Sequence, residues 1–413
     1  MHSLLIMNNK IMLIHRKKYS SRIRPFLGKN IIKVLTGQRR VGKSYLLQQI
    51  IEEIKATEEN HNIIFISMEY EEFRNIKNET DLFEYLKNRI QSDRSNFLLI
   101  DEIQEIEGFE NVLRSLHAKN SCDIIITGSN ANILSSELST YLAGRYIEFH
   151  IQSLTYDEFL LFHKLENSQQ SLMKYLTYGG MPYLVNLPLN DELAFEYLKN
   201  VYSTIVLKDV VQREGIRNID FLERLIQYCA DNTGSLFSAN NISKYLKSQQ
   251  TDISVNVVIN YLRALSNAFI INKVSRVDVN GLKKFEVGEK YYFEDIGLRN
   301  CKTGFNMQRD IGKLIENAVY LHLRDLQYEV FVGKKDQMEI DFVALKEGKK
   351  VYIQAAYLLH DEATQKREIG NLISIQDNFP KYIVSMDELY RESNTDGIKH
   401  LNLRDFLLKK SLE

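Results

Sequence analysis

The 413-residue chain has no tryptophan, only four prolines and only three cysteines. So few prolines argue against a long Pro-rich linker. Cys122, Cys229 and Cys301 are odd in number, far apart and form no CxxC pair. A disulfide framework or a thiolate zinc site is therefore not expected, and a reducing cytoplasm is the expected setting. No apolar run approaches the ~18–20 residues that cross a bilayer, so no membrane partner is expected. The apolar patch Leu4–Met7 is too short for a signal-peptide core. The net charge of −1 gives no overall attraction for polyanions, yet it averages opposed blocks. Residues 1–51 hold eleven Lys and Arg and no acid, whereas residues 52–110 hold sixteen acids and six bases. The basic block needs a partner.

What is present is an ordinary globular mixture, 44% hydrophobic and 26% charged. At ~150 residues per domain the length suggests two or three domains. Ile31–Leu35 reads as a buried strand, followed by a glycine turn and a helix over Lys43–Ile54. Ile63–Ser67, Phe97–Asp101, Asp123–Thr127 and Tyr146–Ile151 read as further strands, with helical stretches between most of them. Strands apolar on both faces that alternate with helices predict an α/β fold with a parallel sheet, here over residues 1–165. Residues 166–285 read as mostly helical, with a turn at Gly179–Pro182. Within this part, Asn241–Ser248 and a second helix capped by Ser254 stand at helix-turn-helix spacing. Ile270–Val274 and a segment ending at Phe285 are expected to form a hairpin wing around Asn280-Gly281. Residues 286–413 read as a small mixed α/β domain. It opens with a helix over Asp310–Leu326, followed by strands at Glu329–Val332, Met338–Leu345 and Val351–Ala356. A helix around Ala363–Ile375 and a strand at Tyr382–Val384 complete it.

Gly37-Gln38-Arg39-Arg40-Val41-Gly42-Lys43-Ser44 fits G-x-x-x-x-G-K-[ST] between a strand and a helix. Glycines let the backbone curl so that its N–H groups point at phosphate oxygens, and the helix N-terminus adds a favourable dipole. Lys43 is expected on the β/γ-phosphates and Ser44 on Mg2+. Arg39 and Arg40 are expected either at phosphate or on another domain. Phe97–Glu102 is a buried strand ending in two carboxylates. Asp101 is expected to bind Mg2+, and Glu102 to polarise the attacking water. The adjacent Glu and the absence of an Asn-Lys-x-Asp motif favour ATP over GTP. Ser129 and Asn130 follow the next strand, where a polar group can orient water beside the γ-phosphate. Arg145 precedes the last strand of this part, placed to reach a phosphate of its own or of a neighbouring subunit.

Gly37–Ser44, Asp101–Gln104, Thr127–Asn130, Leu142–Tyr146 and Gly179–Pro182 together resemble the prokaryotic P-loop ATPases with an AAA-type (AAA+/ASCE) core and a C-terminal domain of unknown function. Tyr292–Leu298, Ile311–Val319, Glu339–Val343 and Tyr352–Tyr357 resemble that second domain. The resemblance implies an ATPase core, a helical lid with a winged-helix-like region, and a terminal domain similar to the restriction-endonuclease-like fold. A metal-dependent nuclease of that fold needs acidic residues and a lysine around Mg2+. The matching positions here are Glu316, Glu339, Asp341 and Gln354. Gln354 is neutral where Glu is usual, and Ala356 stands where the lysine would be. Lys350 shares the strand face of Gln354 but lies four residues away. A degenerate second site is expected.

On the second helix of the helix-turn-helix, Asn256, Asn260 and Arg263 lie opposite the apolar face. Asn suits adenine edges, but one cation attracts phosphate weakly. Arg16, Lys17, Lys18, Arg22, Arg24 and Lys29 form a stronger electrostatic footprint. They are expected either on DNA or RNA or against the acidic block. The leading reading is an Mg2+-dependent ATPase that couples nucleotide state to its C-terminal domains. Alternatives are an ATP-gated nuclease and a non-hydrolysing switch for a protein partner. An arginine acting between subunits would make the chain a homo-oligomer.

Overall fold

The computed structural model describes residues 14–131, 133, 142, 144–249, 251–283, 288–359, 362–388 and 393–412. Leu4–Met7, Lys10, Ala143 and the segment 284–287, which includes Phe285, lie outside the described residues. The chain divides into two compact units. The first takes residues up to Thr36, Gly42–Gly128 and Ile133–Ile151. The second takes Gly37–Val41, Ser129–Asn132 and everything from Gln152 onward.

The first unit runs α1 (Lys17–Ile23), β1 (Ile32–Thr36), α2 (Lys43–Thr57), β2 (His61–Ser67), α3 (Glu79–Lys87), β3 (Ser95–Asp101), α4 (Phe109–Ala118), β4 (Asp123–Gly128) and β5 (Tyr146–His150). Its strands form one parallel sheet in the order β2-β3-β4-β1-β5. The expected parallel sheet is therefore present. Every residue of β1 is buried, as a strand covered on both faces requires. That includes Lys33, whose ammonium pairs with the Asp123 carboxylate. Burial lowers the Lys33 pKa and raises that of Asp123, each against the pull of the partner. The register pairs Thr36 with Gly128 and Ser67 with Asp101, which aligns the carboxyl ends of four strands. In open parallel sheets that edge is where ligands bind.

The basic block finds several internal partners in this unit. Arg24 pairs with Glu53 of the acidic block, although the arginine side chain is 67% exposed. Arg16 is buried, and its guanidinium lies 4.6 Å from the centre of the Tyr19 ring.

The second unit begins with α5 (Tyr156–His163), α6 (Gln169–Tyr178) and α7 (Asp191–Thr204), which runs on into a π-helical segment over Ile205–Gln212. Next come α8 (Ile219–Asp231), α9 (Ala239–Ser248) and α10 (Val255–Asn267). The Ser238 hydroxyl caps α9 at the Asn241 N–H, and Ser254 caps α10 at Val257. Val258, Leu262 and Leu265 of α10 are buried. Asn256, Asn260 and Arg263 are exposed.

Strands β6 (Ile271–Val274), β7 (Arg276–Asp278) and β8 (Lys290–Phe293) depart from the expected wing. β6 pairs antiparallel with β8, while β7 runs parallel to β9 (Glu329–Lys335) in another sheet. Asn280-Gly281 is a turn, fixed by the Asp278 carboxylate, which accepts from both their N–H groups. β8 wins the place beside β6 because all four of its residues are buried, and the Tyr292 ring stacks on Tyr320 at 4.7 Å.

After β8 follow α11 (Ile296–Thr303) and α12 (Met307–Asp325), then β9, β10 (Met338–Lys346), β11 (Lys349–Ala355), α13 (Glu362–Ile373), β12 (Lys381–Ser385), β13 (Ser393–Thr395) and β14 (Ile398–Asn402). The mixed sheet has the order β13-β14-β12-β11-β10-β9-β7. Buried polar ties knit the unit together. The Arg299 guanidinium, fully buried, donates to the Ala230 carbonyl at 3.0 Å and to Asp310 at 3.0 Å. The Gly179–Pro182 turn is a close backbone crossing. Gly180 accepts from Leu154 N–H at 2.7 Å and donates to Asp295 at 2.8 Å. A Cβ on Gly180 would lie 2.2 Å from the Leu154 carbonyl oxygen. No helix among the described residues is long and apolar enough to cross a membrane.

The crossing predicts that Gly180→Ala lowers stability by about 1–3 kcal/mol, as overpacking does. Gly281→Ala, which meets nothing within 4 Å, is expected to stay within about 0.5 kcal/mol. Urea unfolding of the two variants measures the contrast.

Candidate functional site

The phosphate-loop motif joins the end of β1 to the start of α2. Gly42 occupies the N-cap position of α2 with φ 97°, a left-handed conformation that favours glycine. Gly42 carries no side chain to cap α2, and the dipole of the helix N-terminus favours an anion there. Lys43 is buried and Ser44 half-buried on the first turn.

Asp101 ends β3 and is 1% exposed. The register Ile100↔Ile126 carries Asp101 beside Thr127 one residue further on. The Thr127 hydroxyl donates to Asp101 Oδ1 at 2.6 Å and accepts the Glu102 N–H at 2.9 Å. Ser67 donates to the other Asp101 oxygen at 3.4 Å. Glu102 takes a left-handed backbone with φ 56°. Its carboxylate accepts from the Gln104 amide and lies 3.9 Å from Lys43 Nζ. Thus Lys43, Asp101 and Glu102 come together in one unit around a threonine that sequence reasoning left without a role. Arg145 stands just before β5 with an exposed side chain, and its carbonyl accepts the Ile32 N–H at 2.9 Å.

The other loop residues belong to the second unit. Gln38 is fully buried and donates to the Phe269 carbonyl at 2.8 Å. Arg39 forks onto the Asp209 carboxylate, with Nε at 2.9 Å and an Nη at 3.1 Å. Arg40 is exposed with φ 68°. Ser129 and Asn130 are buried, and the next residue, Ala131, donates its N–H to the Asn267 carbonyl at 2.9 Å. Asp209 and Phe269 were missed. The available signal was an aspartate inside the apolar run Ile205-Val206-Leu207-Lys208-Asp209-Val210-Val211.

The second candidate cluster is gathered, but around a cation from the chain itself. Lys290 of β8, 2% exposed, lies 2.7 Å from Glu316, 2.8 Å from Glu339 and 3.3 Å from Asp341. The Tyr292 hydroxyl donates to Glu316 at 2.6 Å. Gln354 accepts the Asp341 N–H at 3.1 Å, and Asp341 in turn accepts the Ala355 N–H at 2.9 Å. Burial opposes the Lys290 charge, yet the three carboxylates outweigh it and hold its pKa above the ordinary lysine value. Burial raises the Glu316 carboxyl to about 7 against the pull of Lys290. Among the described residues no group of three or more His, Cys, Asp or Glu side chains is arranged to hold a metal ion. Lys350 pairs instead with Asp377 at 3.3 Å. Lys290 was not foreseen because its partners lie 26 to 51 residues away.

Comparison with known proteins gives the following likenesses. A family model of an AAA domain matches residues 29–160, and a domain of unknown function (DUF8612) matches residues 169–309. An uncharacterized protein of Haemophilus influenzae is 33% identical over 405 residues, covering 96% of this chain and 99% of that one. An uncharacterized protein of Methanocaldococcus jannaschii is 30% identical over 393 residues, covering 90% of this chain and 86% of that one. Among solved structures, a Walker-type ATPase of Pyrococcus abyssi has a TM-score of 0.49 at 16% identity, covering 70% of this chain and 95% of that one.

The Lys290 cluster predicts that Lys290→Met, which strands three carboxylates, lowers stability by about 3–5 kcal/mol. Lys410→Met breaks the Asp157 ion pair of a lysine side chain that is 75% exposed. That change is expected to cost no more than about 1 kcal/mol. Equal losses for the two variants in chemical denaturation would contradict the assignment.

Proposed function

The chain belongs to the same family as the Haemophilus influenzae relative and matches an AAA domain over residues 29–160, and on that premise we propose how its residues carry ATP binding and hydrolysis. It is an ATP-binding AAA-type P-loop ATPase. The observation that supports the residue roles is Thr127 joining Asp101 to Glu102, with Glu102 3.9 Å from Lys43.

In this reading the backbone N–H groups of Gly37–Ser44 cradle the phosphates, and Lys43 neutralises the β/γ-phosphate oxygens. The donor set suits magnesium. Ser44 and Asp101 offer hard oxygen ligands, and Asp101 is a buried carboxylate whose desolvation a cation offsets. Bound there, the ion would neutralise charge on the phosphates. Glu102 accepts a proton from the attacking water. The Gln104 amide and Thr127 hold Glu102 in place for this. Ser129 and Asn130 orient that water, and Arg145 serves a phosphate of its own or a neighbouring subunit.

The same reading divides the chain by task. Residues 1–165 bind and hydrolyse ATP. Residues 166–285 form a helical lid and the helix-turn-helix pair α9 and α10, without the expected hairpin wing. Residues 286–413 form a restriction-endonuclease-like domain whose site is degenerate, with Lys290 in place of a metal ion. ATP state drives rearrangement of the latter two in a cytoplasmic protein. The exposed Asn256, Asn260 and Arg263 of α10 make DNA or RNA the macromolecular partner to test first.

Lys43→Ala is expected to abolish tight ATP binding. Glu102→Gln is expected to keep ATP affinity and lose about 10²–10⁴-fold in turnover, the usual contribution of a positioned base. A coupled phosphate-release assay with a separate binding titration checks both. Undiminished turnover in Glu102→Gln would overturn the role given to Glu102.

A further inference from the structure

Two neighbouring residues of the phosphate loop are anchored far along the chain. Arg39 makes a two-point contact with Asp209, and Asp209 also accepts from Arg213 at 3.1 Å. Asp209 is fully buried, and these two guanidinium groups are the partners that meet its carboxylate. A fork onto a carboxylate fixes direction as well as distance, which a single lysine contact would not.

Gln38 is held by a second element, the last turn of α10. There Phe269 N–H donates to the Ser266 carbonyl and Ile270 N–H to that of Leu265, the two bonds of a Schellman ending. The left-handed residue of that ending is usually glycine, but here it is Phe269 with φ 52°. A bulky residue in this conformation costs about 1–2 kcal/mol and persists only where its surroundings hold it. The Phe269 carbonyl accepts from Gln38, and the carbonyl of Asn267, two residues earlier, accepts from Ala131. Both chain segments that leave β1 and β4 are thus tied to one helix end.

We propose that Asp209 is a positioning residue for ATP binding. Through Arg39, and together with the Gln38–Phe269 bond, it sets the conformation of the phosphate loop. Nucleotide binding and the arrangement of the π-helical segment and α10 are therefore one linked equilibrium. The inference rests on the ATP-binding reading of the loop. Asp209 touches no phosphate in this account; it acts only through the shape of the loop. The π-helical form of Ile205–Gln212 fits such a role, since π segments inside helices are rare and concentrate at functional sites. Linkage requires reciprocity: what the nucleotide does to these helices, a ligand on the helices does to nucleotide affinity.

The test is a double-mutant cycle on the full chain with Arg39→Gln and Asp209→Asn, read by titration with a fluorescent ATP analogue and Mg2+. Each single change is expected to weaken binding about tenfold, within the usual range of couplings. The double variant is expected to be no weaker than the worse single. A loop arginine that instead contacts phosphate directly would make Arg39→Gln weak and leave Asp209→Asn at wild-type affinity, which overturns the proposal.

Hydrogen exchange without nucleotide gives a second readout. Amides 38–42 are expected to exchange faster in both variants while α12 stays protected. Unchanged loop exchange would also overturn the proposal. If Asp209→Asn does not fold, Arg39→Gln with Gln38→Ala completes a cycle on the same loop, and additive losses there count against it. A wild-type chain that binds no ATP, while both variants still loosen the loop, would refute the ATP-binding reading and leave the anchoring intact.

Discussion

A charge taken out of water must be met by a partner, and the placement of such partners organises this molecule. Asp101 is met by the hydroxyls of Thr127 and Ser67, Lys33 by Asp123, and Asp209 by two arginines. Arg299 is met by Asp310, and Lys290 by three carboxylates. Breaking one side of such a pair costs several kcal/mol, far more than an exposed ion pair contributes. These contacts therefore fix where loops and strands can lie. The phosphate loop shows the consequence most clearly, because Arg39 is held by a residue 170 positions away.

How much of this was legible follows from range. The phosphate-loop motif, Asp101-Glu102 and the five parallel strands are local patterns, and the structure contains the loop, the carboxylates and the sheet where the sequence places them. The cap Ser254 acts over three residues, so the α9–α10 pair was also readable in outline, although α9 starts earlier, capped by Ser238. The wing was not. Asn280-Gly281 signals a turn and forms one, but the partner of β6 is chosen by burial of Tyr291, Tyr292 and Phe293 against other elements. Composition near the turn carries no record of that competition.

The same limit applies to the charged partners. Glu316, Glu339, Asp341 and Gln354 were readable as a group, whereas the cation they surround was not. Lys290 sits in Lys290-Tyr291-Tyr292-Phe293, where a lysine at a strand start reads as solvated. The partners of the basic block are similarly resolved only in three dimensions. Arg24 meets Glu53 and Lys33 meets Asp123, while Arg16 lies against Tyr19. These internal partners weaken the case for a polyanion bound to the basic block alone.

The central claim is that ATP bound at the phosphate loop is felt at the π-helical segment and the end of α10. Hydrogen exchange of the wild-type chain with and without Mg2+-ATP tests it most directly. The account predicts altered exchange over residues 205–213 and 265–270 as well as over 37–44. A change confined to 37–44, with the two distant segments untouched at saturating ATP, would contradict it.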